Sequence, residues 1–119
     1  MFAEHANELS AYGINYIEAL DRFDGDEAFF EHLMMRFAED NSCAALHLAI
    51  FTEDAGSVYR AAHALKGVAG TLCCSELYAC ASRVADSARA GDLATSAAGL
   101  NDLDQAYDRV LKAIRRFAG

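Results

Sequence analysis

The 119-residue sequence contains no proline and no tryptophan, and its acidic residues outnumber its basic ones by 18 to 10. Because proline interrupts helix interiors, its absence from a chain rich in alanine and leucine favours an all-helical fold. The net charge of −8 argues against nucleic acid as a partner, since such binding requires basic patches. No apolar run approaches the length of about 18 residues that spans a bilayer, and Glu4 and Glu8 interrupt the first residues, so neither a membrane span nor a secretory signal is predicted. We therefore expect a soluble, cytoplasmic protein.

Four cysteines are present, but their spacing matches no common metal or disulfide motif. Cys73 and Cys74 are adjacent, and no C-x-x-C pair occurs. Cys43 and His47 are spaced i, i+4 and could share a helix face, but two ligands do not make a zinc site. The sequence therefore predicts that the cysteines, Cys80 included, are small buried hydrophobic residues, and it predicts no metal and no cofactor.

Hydrophobic residues make up 54% of the chain, which is typical of a packed globule rather than a disordered segment. A chain of this length can bury about 65% of its unfolded surface without disulfides. No long linker, internal repeat or low-complexity segment interrupts it. We expect one domain over residues 1–119, and we expect it to be a monomer.

Capping residues and apolar periodicity divide the chain into helices. The apolar residues recur at helical spacing in each long segment, with polar residues opposite. Four long amphipathic helices with short connections predict an antiparallel four-helix bundle, all-α in class, with the short N-terminal helices packed at one end. The predicted helices are residues 2–11 ended by Gly13, Asn15 to about Phe23, Asp24 to about Phe51 with a bend near Asn41 and Ser42, 55–71 capped by Asp54, Ser75 to Gly91, and Asp92 to about Phe117.

One histidine stands out on the helix predicted over 55–71. At about 100° per residue, the apolar side chains gather into one stripe, and His63 lies about 150° from the centre of that stripe, facing water. The stripe consists of Val58, Ala61, Ala62, Leu65, Val68, Ala69 and Leu72. The residues on the polar side around His63 are Gly56, Tyr59, Arg60, Lys66, Gly67 and Gly70.

The residues around His63 suit a covalent reaction at the imidazole. Each glycine inside a helix costs about 0.5–1 kcal/mol relative to alanine, so three of them around one histidine need a reason. Gly67 and Gly70 would leave room for a bulky partner, and Lys66 at i+3 could neutralise part of an anion on the ring. A neutral imidazole nitrogen is a nucleophile that can accept a phosphoryl group. Helix geometry alone leaves a second interpretation equally open, an ordinary solvent-facing histidine beside helix-ending glycines.

The motif His63-Ala64-Leu65-Lys66-Gly67 resembles that of the histidine-containing phosphotransfer (Hpt) domains of two-component phosphorelays. The similarity extends from about residue 13 to 117. The segment from Gly13 to Glu27 resembles the family's entry segment, and Asp54 resembles the residue that starts the histidine-bearing helix. Leu77 and residues 91–93 lie where the family has its next helix and the turn after it. Cys73 stands where many members have a second glycine, and Thr71 where asparagine or serine is usual.

The resemblance implies a phosphoryl carrier rather than an enzyme. His63 would accept the group from a receiver-domain aspartate, or from a kinase, and pass it to another receiver domain, so the expected partners are response regulators and hybrid histidine kinases. The sequence has no kinase ATP-binding signature and no acidic cluster near His63 for Mg²⁺, so most of the catalysis would come from the partner.

The site predicted from the sequence therefore consists of His63 and Lys66, with Tyr59, Arg60, Gly67 and Gly70 on the docking surface. The main alternative is a helical docking module for two-component proteins that carries no phosphate. A bundle enzyme with a carboxylate-bridged metal centre would need Glu-x-x-His pairs, which the pairs Glu4-His5 and Glu31-His32 do not provide. His5, His32 and His47 are predicted to have no functional role.

Overall fold

A computed structural model describes residues 2–118, and over this range the chain is helical without a β-strand. The all-α prediction is therefore confirmed, and the helices pack as a bundle. Two short 3₁₀ helices, Ala3–His5 and Ser10–Tyr12, flank the first α-helix. The α-helices are α1 Ala6–Leu9, α2 Tyr16–Arg22, α3 Glu27–Phe37, α4 Ser42–Phe51, α5 Ala55–Thr71, α6 Ser75–Arg89, α7 Leu93–Ala98 and α8 Leu100–Phe117.

Helix α5 packs against α4 and α6, and α6 in turn packs against α7 and α8. The predicted apolar stripe of α5 is confirmed, because five of its seven residues are buried and Ala61 and Val68 are partly buried against the core. The largest buried side chains come from every part of the chain: Phe2, Leu9, Ile14, Phe30, Met34, Phe37, Leu46, Leu65, Leu72, Leu77 and Leu103. This shared core fixes which face of α5 can reach solvent.

The single helix predicted from Asp24 to Phe51, with a bend near Asn41 and Ser42, is wrong, because the chain forms two separate helices that are divided just before Ser42. Helix α3 ends at Phe37, and α4 begins at Ser42. The N-cap of α3 is Asp26, whose side chain accepts a hydrogen bond from the Phe29 amide at 3.0 Å, whereas Asp24 adopts a left-handed φ of 53° in the preceding turn. The break lets α4 take its own direction and pack on α5.

The predicted helix from Asp92 to Phe117 is also divided. Asp92 does cap a helix, accepting a hydrogen bond from the Thr95 amide at 3.1 Å, but that helix, α7, ends at Ala98 and α8 starts after Gly99. A Cβ at Gly99 would lie 3.2 Å from Cγ2 of Val84 on α6. The close approach to α6 explains why a small residue stands at this junction.

The turn between α5 and α6 packs against the N-terminal segment and is hydrogen-bonded to it. Cys73 adopts a left-handed φ of 56°, a conformation that glycine adopts without strain, which gives a physical reason for glycine to be favoured at this position. Its carbonyl accepts a hydrogen bond from the Asn15 amide at 2.9 Å, and Ile14 forms an isolated β-bridge with Cys74. All four cysteines are buried as free thiols, as predicted.

None of the helices over residues 2–118 combines the length and the apolar character needed to cross a membrane.

Candidate functional site

The start of α5 is fixed by a charged cap. The carboxylate of Asp54 accepts hydrogen bonds from the Ser57 amide at 3.2 Å and from the Ser57 hydroxyl at 2.8 Å, as the sequence predicts for an N-cap. These bonds and the nearby Arg60 guanidinium hold the pKa of Asp54 below its usual range, and the bond from the Ser57 hydroxyl has the largest effect. The cap sets the position at which the helical turns of α5 begin.

His63 lies on the exposed side of α5, two turns after the cap. Its ring stacks on the half-buried ring of Tyr59, one turn earlier, with 5.5 Å between centroids and an interplanar angle of 19°. Among residues 2–118 the imidazole nitrogens have no hydrogen-bond or ion-pair partner. Tyr59 therefore contacts the flat face of the imidazole, and both ring nitrogens at its edge stay accessible.

Lys66 and Arg60 lie on opposite sides of His63, each about 60° around the helix. The Lys66 ammonium is placed over the ring of Tyr78 on α6, 5.7 Å from its centroid, and forms no ion pair with the described residues. Arg60 donates a hydrogen bond from Nη2 to the Ser57 hydroxyl at 3.0 Å. The imidazole therefore has a cationic residue on each flank.

The glycines around His63 differ in their surroundings. At Gly67 an added Cβ would meet no heavy atom within 4 Å, so this position is open, as expected. At Gly70 it would lie 3.2 Å from two ring carbons of Tyr78, and the Gly70 carbonyl accepts a hydrogen bond from Arg22 on α2. The expectation of a bare surface is therefore wrong for Gly70. Its missing side chain instead allows the ring of Tyr78 to pack closely against α5.

Two open grooves run along the Arg60 side of α5. One, of about 500 Å³, lies between α3 and α5 and includes Gly67 and Arg36 in its walls. The other, of about 520 Å³, lies between α4 and α5 and includes Arg60. Ala64 borders both of them. The face around His63 thus offers concave surface on one side and the Tyr78 ring on the other.

A sequence model of the Hpt domain matches residues 28–113, more than two thirds of the chain. The chain belongs to the Hpt domain family. Proteins of this family take part in two-component phosphorelays, where they work with receiver domains as phosphoryl carriers rather than as enzymes. Searches of the curated proteins and of the solved structures found no similar protein.

The matched part of this Hpt domain contains every residue of the predicted site, from Tyr59 to Gly70. It begins after the segment from Gly13 to Glu27, so the resemblance of that segment stays a prediction. The sequence interpretation missed Tyr78 and Arg22, which border the site from α6 and α2. The available signal was an aromatic residue at the border between the apolar and polar faces of α6, where Tyr78 is 42% exposed.

Proposed function

We propose that His63 is the residue of this Hpt domain that carries the phosphoryl group. The observation that carries the proposal is an exposed imidazole with no polar partner among residues 2–118, held by ring stacking on Tyr59. The ring nitrogens of His63 differ in this respect from Nε2 of His47, which lies 2.7 Å from Oδ1 of Asp104. His63 leaves both nitrogens available for chemistry.

The reaction is a phosphoryl transfer between two side chains. A neutral ring nitrogen of His63 attacks the phosphorus of an aspartyl phosphate on a receiver domain, an N–P bond forms, and the P–O bond to the aspartate breaks, which leaves a carboxylate. The same steps in reverse pass the group to a second receiver. The receiver contributes the carboxylate and the metal ion, so the task of the Hpt domain is to present the nucleophile in the correct orientation.

Lys66 and Gly67 support this transfer in different ways. The Lys66 ammonium is free of ion pairs in the described structure, and its flexible stem allows it to move from the Tyr78 ring toward negative charge on His63. Gly67 presents no side chain beside the imidazole, and an incoming domain can therefore approach closely. Tyr59, Arg60 and the surface beside Gly70 complete the docking face.

The test is transfer of phosphate from a phosphorylated receiver domain to the purified chain. We expect wild type to acquire an acid-labile, base-stable label, and His63→Gln to acquire none. His32→Gln is the matched control, because His32 is exposed on α3 and does not line either groove beside His63; it should label like wild type. Label retained on His63→Gln would refute the assignment of His63. A wild-type chain that binds receivers without becoming labelled would instead support the docking-module alternative.

A further inference from the structure

Helices α4 and α8 bring together three side chains that can bind a metal ion. Cys43 and His47 lie one turn apart on α4, and Asp104 faces them from α8. His47 Nε2 is 2.7 Å from Asp104 Oδ1, and Cys43 Sγ donates a hydrogen bond to the same oxygen at 3.7 Å. The sulfur, the nitrogen and a carboxylate oxygen all lie within 4.8 Å of one another.

Small side-chain movements would bring these separations to those around a tetrahedral zinc ion. With Zn–S near 2.3 Å and Zn–N and Zn–O near 2.0–2.1 Å, tetrahedral ligands lie about 3.3–3.6 Å apart. The S···O separation of 3.7 Å is slightly longer than this range, and the N···O separation of 2.7 Å needs to open by about 0.6 Å. The S···N separation, which is at most 4.8 Å, has to close by no more than about 1.3 Å. His47 and Asp104 are 45% and 44% exposed, so their side chains can make such an adjustment.

We propose that Cys43, His47 and Asp104 form a site for one divalent transition-metal ion, with Zn²⁺ the best match. A thiolate, an imidazole and a carboxylate are a ligand set that zinc accepts, whereas Mg²⁺ and Ca²⁺ prefer oxygen ligands. Binding replaces the Cys43 S–H bond by an S–Zn bond and releases the proton to solvent. Three protein ligands on a partly exposed site leave the fourth position for water.

The ion would connect two helices that are distant in sequence. Residues 43 and 104 are 61 positions apart, so coordination would cross-link α4 to α8 and stabilise the folded state over the unfolded chain, which has no preformed site. None of the three ligands belongs to the face around His63. The site therefore goes beyond the proposed phosphoryl transfer, and either proposal can fail without the other.

The first measurement is calorimetric titration of the full chain, reduced and free of metal, with zinc chloride. We expect saturable binding of one ion per chain and a rise in melting temperature that saturates at the same ratio. Co²⁺ is the spectroscopic probe, because a thiolate ligand gives it a near-ultraviolet charge-transfer band and tetrahedral coordination gives it strong visible absorption. Absence of saturable binding, or of the thiolate band, would refute the site.

The variants separate this site from adventitious binding. Cys43→Ser, His47→Gln and Asp104→Asn should each weaken Zn²⁺ binding at least tenfold, and Cys43→Ser should abolish the thiolate band. His47→Gln and Asp104→Asn change partly exposed side chains, so their folding is not in question even if Cys43→Ser, at a buried position, is less stable. Cys80→Ser and His32→Gln are the controls and should bind like wild type. Equal affinity in the ligand variants and the controls would overturn the proposal.

Discussion

Replacing Gly67 by alanine tests both the helix and the open surface beside His63. Gly67 lies inside α5, and an added Cβ meets nothing within 4 Å. Alanine in a helix interior is favoured over glycine by about 0.5–1 kcal/mol, and no packing cost offsets this gain. For a chain of 119 residues with an unfolding entropy of about 2.1 cal/mol/K per residue, the expected rise in melting temperature is roughly 2–4 °C.

Gly70→Ala is the matched comparison, because it changes the same helix by the same atoms. There the new methyl carbon would lie 3.2 Å from the Tyr78 ring, so the ring or the helix has to shift. Strain from such crowding typically costs about 1–3 kcal/mol, which cancels or exceeds the gain in helix propensity. We expect Gly67→Ala to be more stable than wild type and Gly70→Ala to be equally stable or less stable.

Thermal and urea unfolding followed by circular dichroism measures both changes. The functional arm uses Gly67→Leu, which remains compatible with the helix but places a large side chain beside His63. If a receiver docks on this face, phosphoryl transfer should slow at least tenfold while the fold stays intact, since small misplacements of reacting groups can cost about 100-fold. A destabilised Gly67→Ala, or a Gly67→Leu that transfers at the wild-type rate, would refute this reasoning.

Three further predictions concern α5. Lys66→Ala should slow transfer or shorten the lifetime of phosphohistidine, and it should cost at most about 1 kcal/mol of stability, since it removes only the contact with Tyr78; unchanged transfer kinetics would mean that Lys66 has no role in it. Leu65→Ala should destabilise the fold by about 2–5 kcal/mol in urea unfolding, because Leu65 is fully buried; a loss below about 1 kcal/mol would contradict its place in the core. Asp54→Asn keeps a capping side chain but removes the charge. Since the pKa of Asp54 is lowered in the folded state, the charge stabilises the fold above the unfolded pKa of about 3.9 and this effect is lost as the pH falls through the folded value. The difference in melting temperature between wild type and variant should therefore be present at pH 7 and shrink as the pH falls below about 3.9, the unfolded value. A difference that does not depend on pH would exclude an effect of charge.

Helix ends show where local patterns are informative and where they are not. The caps at Asn15, Asp54 and Asp92 are confirmed, because each is a bond between residues three apart in sequence. The break between Phe37 and Ser42 was only hinted at by Asn41, since both flanking segments have helical periodicity. The direction of α4 depends on its packing against α5, which no local pattern encodes.

The sequence by itself determined the all-helical class, the apolar stripe of α5 and the exposure of His63 on the opposite face, because these follow from helical periodicity along one segment. Only the tertiary structure decided what lies beside that face, because Tyr78 and Arg22 reach it from other helices. The same holds for Asp104, which comes to Cys43 and His47 from α8. Contacts between residues distant in sequence depend on how whole helices pack, and that packing is set by the shared core rather than by any one segment.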